Sequence, residues 1–459
     1  MSWILNLSLR APAQRIVETL CGAGAALRIV EEPDILDPVG LIVCSDTTTA
    51  LCDVLAMAKA ENLQVYLLAI EENVIDPWWV LEQGATDYSV WHDDPRPILA
   101  RLERLAEVEG LLDSTLVSGV IIGRSPLLRA ALRDLVIAAR YGSAPVLILG
   151  ETGTGKELAA RVVHSLSTHI CTGELIVVDC TTIVPTLMGS ELFGHERGAF
   201  TGAVGIRTGA CAAANSGTLF LDEVGELPLD LQPELMRVVQ EGMYKRVGGD
   251  RWLRSNFRLV CATNRNLLEE ANEKRFRMDL YYRIAASTVT LPPLRDRKED
   301  IVPLFCHFYR EANKSADHIV LDTAVELALR SRDYRGNLRD LRQLANRVAA
   351  RHVGPGPITP GDLPIDDRPT GFPSRADSGA PTEHGGAGPS STGDLADMLD
   401  TAADLAVQHG MTLRALKEQV GDLAVSAALA RSNGNVRAAA AMLGVTDRAI
   451  QLRKAHRSD

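Results

Sequence analysis

The chain has 459 residues, 46% hydrophobic and 23% charged, with a net charge of −11. That length predicts two to four domains, and the composition is that of a globular protein with apolar material for several cores. The negative balance excludes a general nucleic-acid binder. No apolar run approaches a membrane span and no charged leader precedes an apolar stretch, so a cytoplasmic protein with no membrane partner is expected.

In chain order, residues 3–7, 26–30, 41–44 and 65–70 read as short buried strands, with helical stretches at 12–21 and 48–61 between them. This alternation predicts a small parallel α/β domain over residues 1–112, closed by a helix from about 97 to 112. Gly84, Ala85, Thr86, Asp87 and Tyr88 read as a turn. Trp78 and Trp79 suit either a contact surface or simple packing.

Residues 145–149 form an apolar, β-branched run followed by Gly150, Glu151, Thr152, Gly153, Thr154, Gly155, Lys156 and Glu157, and then by a helix-compatible stretch. Strand, glycine loop and helix in that order suit a phosphate-binding loop. Glycines let backbone N–H groups curl round a phosphate, and the helix N-terminus adds partial positive charge. Lys156 is expected on the β- and γ-phosphates; Glu157 stands where a hydroxyl ligand for Mg²⁺ is usual.

Further on, Gly198, Ala199, Phe200, Thr201, Gly202 and Ala203 place small residues around one aromatic and one hydroxyl. That pattern suits an exposed, hinged loop with a single apolar contact point, or a turn with a buried phenylalanine. Residues 217–223 form a second apolar strand ending in Asp222 and Glu223. Asp222 suits direct or indirect Mg²⁺ coordination, and Glu223 is placed to activate water. A third strand at 258–263 leads to Asn264, fit to sense a γ-phosphate.

Residues 366–393 are rich in Gly, Pro, Ser and Thr and read as a flexible linker. Beyond it, residues 394–459 read as all helical. Leu413, Leu416, Val420, Leu423 and Ala427 form an apolar stripe suited to a dimer contact or to internal packing. Residues 434–445 read as a helix ending in a glycine turn, and Thr446 as the cap of a second helix carrying Arg448, Gln451, Arg453 and Lys454. This is helix-turn-helix spacing, on a basic end of an acidic chain. The eight cysteines are scattered with no Cys-x-x-Cys pair, so neither a zinc site nor a disulfide framework is indicated.

Seven segments carry a family resemblance: GETGTGKE (150–157), SELFGHERGAFTGA (190–203), GTLFLDEVGEL (217–227), RLVCATN (258–264), FRMDLYYRI (276–284), LPPLRDRKEDI (291–301) and YRGNLRDL (334–341). In that order they resemble the central domain of sigma-54-dependent enhancer-binding proteins, a branch of the AAA+ ATPases. The resemblance implies a multidomain α/β protein: a P-loop α/β domain with a helical lid over residues 119–353, flanked by a receiver-like domain and a Fis-type helix-turn-helix. Glu157 after the loop lysine is usual in that family. The resemblance further implies ATP and Mg²⁺ as cofactors. It implies a homo-oligomer (dimer to hexameric ring, with a heptamer as the alternative), enhancer DNA, and sigma-54 RNA polymerase as partners. Arg277 and Arg283 fall on its trans-acting arginine fingers, which contribute on the order of 10³–10⁵ in rate in other NTPases. Arg339 falls on its nucleotide-sensing lid arginine, and Gly198 to Ala203 on its sigma-54-contacting loop.

Asp179 departs from the pattern, standing where many members have a switch asparagine. An ionised Asp there is acceptor-only and repels Glu223 where the two meet. The receiver-like domain departs too. Leu7, Ser8 and Leu9 follow its first strand in place of an acidic pair. Cys44, Ser45 and Asp46 stand at the phosphoacceptor end, and Trp91 and His92 replace a lysine. A degenerate receiver answering a small-molecule or protein signal is therefore expected. The competing readings are a nucleotide- or cyclic-dinucleotide-gated DNA-binding regulator acting without sigma-54 remodelling, and a non-transcriptional AAA+ remodeller.

Overall fold

The computed structural model of the chain describes residues 2–8, 11–23, 27–34, 37–72, 74–167, 171–313 and 319–369. The chain divides into two units, 1–372 and 373–459, and every described residue belongs to the first. The expected linker from residue 370 onward, the apolar stripe at 413–427 and the helix-turn-helix with Thr446, Arg448, Gln451, Arg453 and Lys454 lie outside the described residues.

The first part of the chain runs β1 (Ser2–Asn6), α1 (Ala11–Gly22), β2 (Leu27–Val30), β3 (Val39–Cys44), α2 (Thr49–Ala60), β4 (Gln64–Ala69), α3 (Pro77–Gln83), β5 (Asp87–Val90) and α4 (Arg96–Asp113). The sheet is parallel throughout, in the order β2-β1-β3-β4-β5, which is the flavodoxin-like doubly wound order. Successive strand residues feed opposite faces. Trp3, Leu5 and Ile42 pack with Leu51, Leu55 and Val80 on one side. Ile4, Leu41 and Tyr66 pack with Ile16, Leu20, Ile98 and Leu102 on the other. The fifth strand begins at Asp87, inside the stretch read as a turn: its sequence, DYSV, is polar and only half-buried, so it carries no apolar run. Trp78 points outward, whereas Trp79 packs against the core.

Helix α4 belongs to two cores. Ile98 and Leu102 face the first sheet, and Val108 and Leu112 pack into the next one beside Leu128, Leu132 and Val136. After the turn α5 (Thr115–Ser118), the chain continues through α6 (Pro126–Tyr141), β6 (Val146–Leu149), α7 (Lys156–Leu166), β7 (Leu175–Asp179) and α8 (Pro185–Phe193). A two-residue hairpin, β8 (Gly194–His195) with β9 (Arg207–Thr208), is followed by α9 (Ala210–Ala213), β10 (Thr218–Asp222) and α10 (Gln232–Glu241). A second hairpin pairs β11 (Met243–Lys245) with β12 (Trp252–Arg254); β13 (Arg258–Thr263), α11 (Leu267–Asn272), α12 (Met278–Ile284) and β14 (Ser287–Thr290) complete this part.

The second large sheet is also parallel, in the order β14-β6-β13-β10-β7. Strands distant in sequence therefore end side by side: Thr263 pairs with Leu149, and Asp222 with Asp179. In open α/β sheets ligands bind outside the carboxyl ends of the strands, and here that edge gathers the glycine loop, Asp179, Asp222, Glu223 and Asn264.

Helices α13 (Ile301–Ala312), α14 (Thr323–Ser331) and α15 (Asn337–Arg351) form a separate core around Phe305, Tyr309, Leu329, Leu341 and Leu344. Their packing corrects two expected boundaries. Ile358 and Leu363 are buried in that core, past residue 353. Asp367, expected in the linker that starts at 366, is bonded by Arg332 and by Arg347 Nη2 (2.7 Å). The Gly, Pro, Ser and Thr content of the stretch suggested flexibility, but the two arginines anchor its first residues to the helical part.

Candidate functional site

The glycine loop leaves β6 and enters α7. Gly150, Gly153 and Gly155 have φ of 158°, 80° and 105°, positions where a side chain is strained. Lys156, the first residue of α7, is nearly buried. Its Nζ donates to Gly150 O at 3.0 Å and to Glu223 Oε1 at 3.2 Å. Asn264 ties two arms of the site together: its N–H donates to Glu223 Oε2 (3.0 Å) and its Nδ2 to Thr152 Oγ1 (3.1 Å). Glu223 itself has φ 51° and ψ 51°, a left-handed conformation rare outside glycine and asparagine. Such strain concentrates at functional positions.

Thr152, Lys156, Glu223 and Asn264 line a cleft of about 480 Å³ together with Gly153, Gly155, Glu157, Asp179, Thr181, Asp222, Arg339 and Arg342. Burial pushes the Asp222 carboxyl above its ordinary range. Glu223 and Asp179 add to the rise, while Lys156 and a bond from Glu223 N–H oppose it. The same negative field, secondary to burial, helps push the Cys180 thiol up to about 12. A cleft with one buried ammonium and clustered carboxylates fits a polyphosphate carrying a divalent ion. Among the described residues no group of three or more His, Cys, Asp or Glu side chains holds a metal alone. An ion at Asp222 therefore needs oxygen ligands from elsewhere, as Mg²⁺ bound to nucleotide phosphates has.

The structure distributes the expected residues unevenly. Arg339 reaches the cleft from α15. The Asp179 carboxylate lines the same cleft as Glu223 and accepts from Thr181 N (2.8 Å) and Thr181 Oγ1 (2.6 Å). Glu157 is exposed and pairs with Arg161 along α7. The Glu151 side chain faces the helical part and is held by Arg295 and Asn337, which leaves its backbone for the loop. Arg277 and Arg283 line none of the cleft: the first pairs with Asp279 at 2.7 Å, and the second donates to Val239 O at 3.4 Å.

Three features had no signal in single residues. A narrow apolar slot behind the loop is lined by Val120, Ile121, Ile122, Leu291, Phe308 and Leu338, drawn from both ends of the second domain. Asp300 fastens the slot's wall by accepting from Arg124 N and Ser125 N. Asn337 and Arg295 lie inside recognised motifs, yet their contact with Glu151 appears only in the fold.

The loop from Gly198 to Ala203 tips the β8–β9 hairpin. Gly198 N–H donates to Ala203 O (2.9 Å), and Ala203 N–H donates to Phe200 O (3.0 Å). Gly198 and Gly202 have φ of 81° and 102° in open space, so the closed tip requires them. Phe200 is at the surface rather than in a core, its ring edge-on to His195 with centroids 5.0 Å apart. Val204 and Ile206 beside it are also exposed. The stem leans on the second hairpin through Arg246 and Glu196, 2.9 Å apart, and through Val247 N–H to Gly194 O.

This fold and site define a P-loop unit with a helical lid. Residues 121–290 match the sigma-54 interaction domain and residues 295–376 the AAA+ ATPase lid domain, so the chain carries an AAA+ unit homologous to that of sigma-54-dependent transcription activators. It is 38% identical over 346 residues to the nitric oxide reductase transcription regulator NorR2 of Cupriavidus necator, covering 73% of this chain and 63% of that protein. It is 44% identical over 248 residues to a Nif-specific regulatory protein of Azorhizobium caulinodans, covering 54% and 40%. The chain thus spans less than two thirds of either relative's length. Among solved structures, NtrX from Brucella abortus shares the fold at a TM-score of 0.50 and 22% identity, over 99% of both chains. No helix among the described residues is long and apolar enough to cross a membrane.

Proposed function

We propose that the chain is an ATP-hydrolysing transcription activator that binds upstream DNA and remodels sigma-54 RNA polymerase to open promoters. One observation carries the reading: Lys156, Asp222, Glu223 and Asn264 meet at a single sheet edge under a helical lid, in the unit that also presents the Gly198–Ala203 tip. ATP lies with its base in the apolar slot and its phosphates on the loop from Gly150 to Glu157. Lys156 leaves Glu223 for the β- and γ-phosphates. Asp222 would hold Mg²⁺, which would supply neutralisation of phosphate charge. Glu223, still fixed by Asn264 N–H, takes a proton from the attacking water. Arg339 reports nucleotide from the lid. Arg277 and Arg283, turned away from their own cleft, serve that of a neighbour, so the active form is a homo-oligomer, a dimer that assembles to a hexameric ring. Phe200 and Thr201 contact sigma-54, and hydrolysis raises and lowers the tip.

The C-terminal module supplies DNA contact through Thr446, Arg448, Gln451, Arg453 and Lys454. The N-terminal domain is a receiver-like input that answers a protein or small-molecule signal. Two buried serines occupy the strand ends where phosphorelay acids are expected, with Ser8 Oγ donating to Ser45 Oγ at 3.2 Å.

The test is promoter opening in a purified system of this protein, sigma-54 RNA polymerase and ATP. Open complexes are expected with the parent and not with Thr201→Ala, which keeps its ATPase. Equal opening by the two proteins, or none by the parent, contradicts the proposal.

A further inference from the structure

We infer that Asn337, acting with Glu151 and Arg295, is a positioning residue through which the lid sets the phosphate loop. The inference rests on the nucleotide-site reading above. Asn337 is fully buried and has φ 50°. Its Oδ1 accepts from Leu294 N–H at 2.8 Å, and its Nδ2 donates to Thr152 O at 3.0 Å and Glu151 Oε2 at 3.2 Å. Arg295 grips the same carboxylate with both terminal nitrogens, at 2.7 and 2.9 Å.

The neighbours continue the pattern. Leu338 N–H donates to Gly153 O at 2.9 Å, and Arg297 Nη2 donates to Thr154 O at 3.2 Å. Gly336 passes so close that a Cβ on Gly153 would sit 2.4 Å from its carbonyl. Three consecutive carbonyls of the loop, those of Thr152, Gly153 and Thr154, are therefore all held by the helical part.

The peptide bond is planar, so a C=O and the N–H of the following residue point in opposite directions. Pinning Thr152 O and Thr154 O toward the lid turns the N–H groups of Gly153 and Gly155 to the opposite side. Those are the donors a phosphate loop uses. A lid rotation that loosens Asn337 thus releases the donors of the loop, without any lid side chain touching the phosphate.

The variant that isolates this role is Asn337→Gly. Glycine keeps the positive φ without strain, while the carboxamide is lost. The expected result is a rise in KM for ATP of about tenfold, the worth of roughly one net hydrogen bond, with kcat changed less than about twofold. Glu151→Gln, which keeps an acceptor, is expected to change KM less than Glu151→Ala. Combining Glu151→Ala with Asn337→Gly is expected to cost less than the sum of the two, since they share the Asn337–Glu151 contact. Lys156→Ala is run alongside. If it loses ATP binding while Asn337→Gly keeps the parental KM, or loses kcat and thermal stability together, the inference is overturned alone. If Lys156→Ala binds ATP as the parent does, the nucleotide-site reading falls and takes the inference with it.

Discussion

Lys156 and Glu223 are bonded to each other across the cleft, Nζ to Oε1 at 3.2 Å, with the lysine 7% and the glutamate 17% exposed. Each is the partner that an incoming phosphate and water have to take over. Removing the ammonium takes away the cation that is bonded to Glu223 and leaves only the lid's Arg339 and Arg342 as positive groups lining the cleft. Lys156→Ala is therefore expected to abolish ATP binding and turnover, as read by calorimetry and phosphate release, and a variant with full turnover would refute the assignment.

Asp222 supplies a prediction about stability. Its carboxyl pKa is raised by burial and by Glu223, so the charged form costs more in the folded protein than in the unfolded chain. The stability the neutral form contributes is present below the ordinary carboxyl pKa of about 3.9 and is lost as pH rises through the raised folded value. Asp222→Asn cannot ionise. Its melting temperature is expected to exceed the parent's at neutral pH and to converge with it on acidification, while ATPase is lost. Parallel melting curves at all pH values would show that the charge carries no such cost.

Asp179 separates fold from electrostatics. Its carboxylate accepts both bonds from Thr181 on one oxygen, and an asparagine carbonyl accepts the same two. Asp179→Asn is expected to fold normally and to remove one of the charges that hold Asp222 high. The acid limb of the ATPase pH profile is then expected to move to lower pH. A limb that stays in place would mean that Asp179 acts only on its own turn.

A buried ion network joins the first α/β domain to the second. Glu109 of α4 is 3% exposed and is bonded by Arg133 and by Arg129 Nη2 at 2.6 Å. Arg133 also donates to Asn62 Oδ1 (2.8 Å) and Asn62 O (3.0 Å), just past α2 of the first domain. Breaking a buried pair by removing one partner costs about 3–5 kcal/mol. Glu109→Ala is expected to loosen the first domain from the second, seen as faster amide exchange over residues 96–113 and altered basal ATPase. Unchanged exchange there would show that apolar packing of Val108 and Leu112 is sufficient.

Much of this was legible in the sequence because its signals are local. A glycine loop between an apolar run and a helix, and an acidic pair at a strand end, declare themselves within ten residues. The arrangement of Glu151 is not local. Arg295 and Asn337 lie 144 and 186 positions away from it, and nothing in a linear pattern says which carboxylate of a phosphate loop faces the lid. The orientation of Asp179 depends on a turn two residues on, where asparagine and aspartate look alike. Strand β5 lacked the apolar run that marks its neighbours. The lid runs past the expected start of the linker because Asp367 borders a stretch rich in Gly, Pro, Ser and Thr, and only the fold brings Arg332 and Arg347 to it.

Arg277 and Arg283 stand apart from the cleft of their own chain, and in the proposed ring that separation makes two kinds of damage complementary. A subunit without Lys156 still lends its arginines to the next site, and a subunit without both arginines still has a sound site to be served. Two proteins, each inert alone, would then restore hydrolysis on mixing at the interfaces where their intact halves meet.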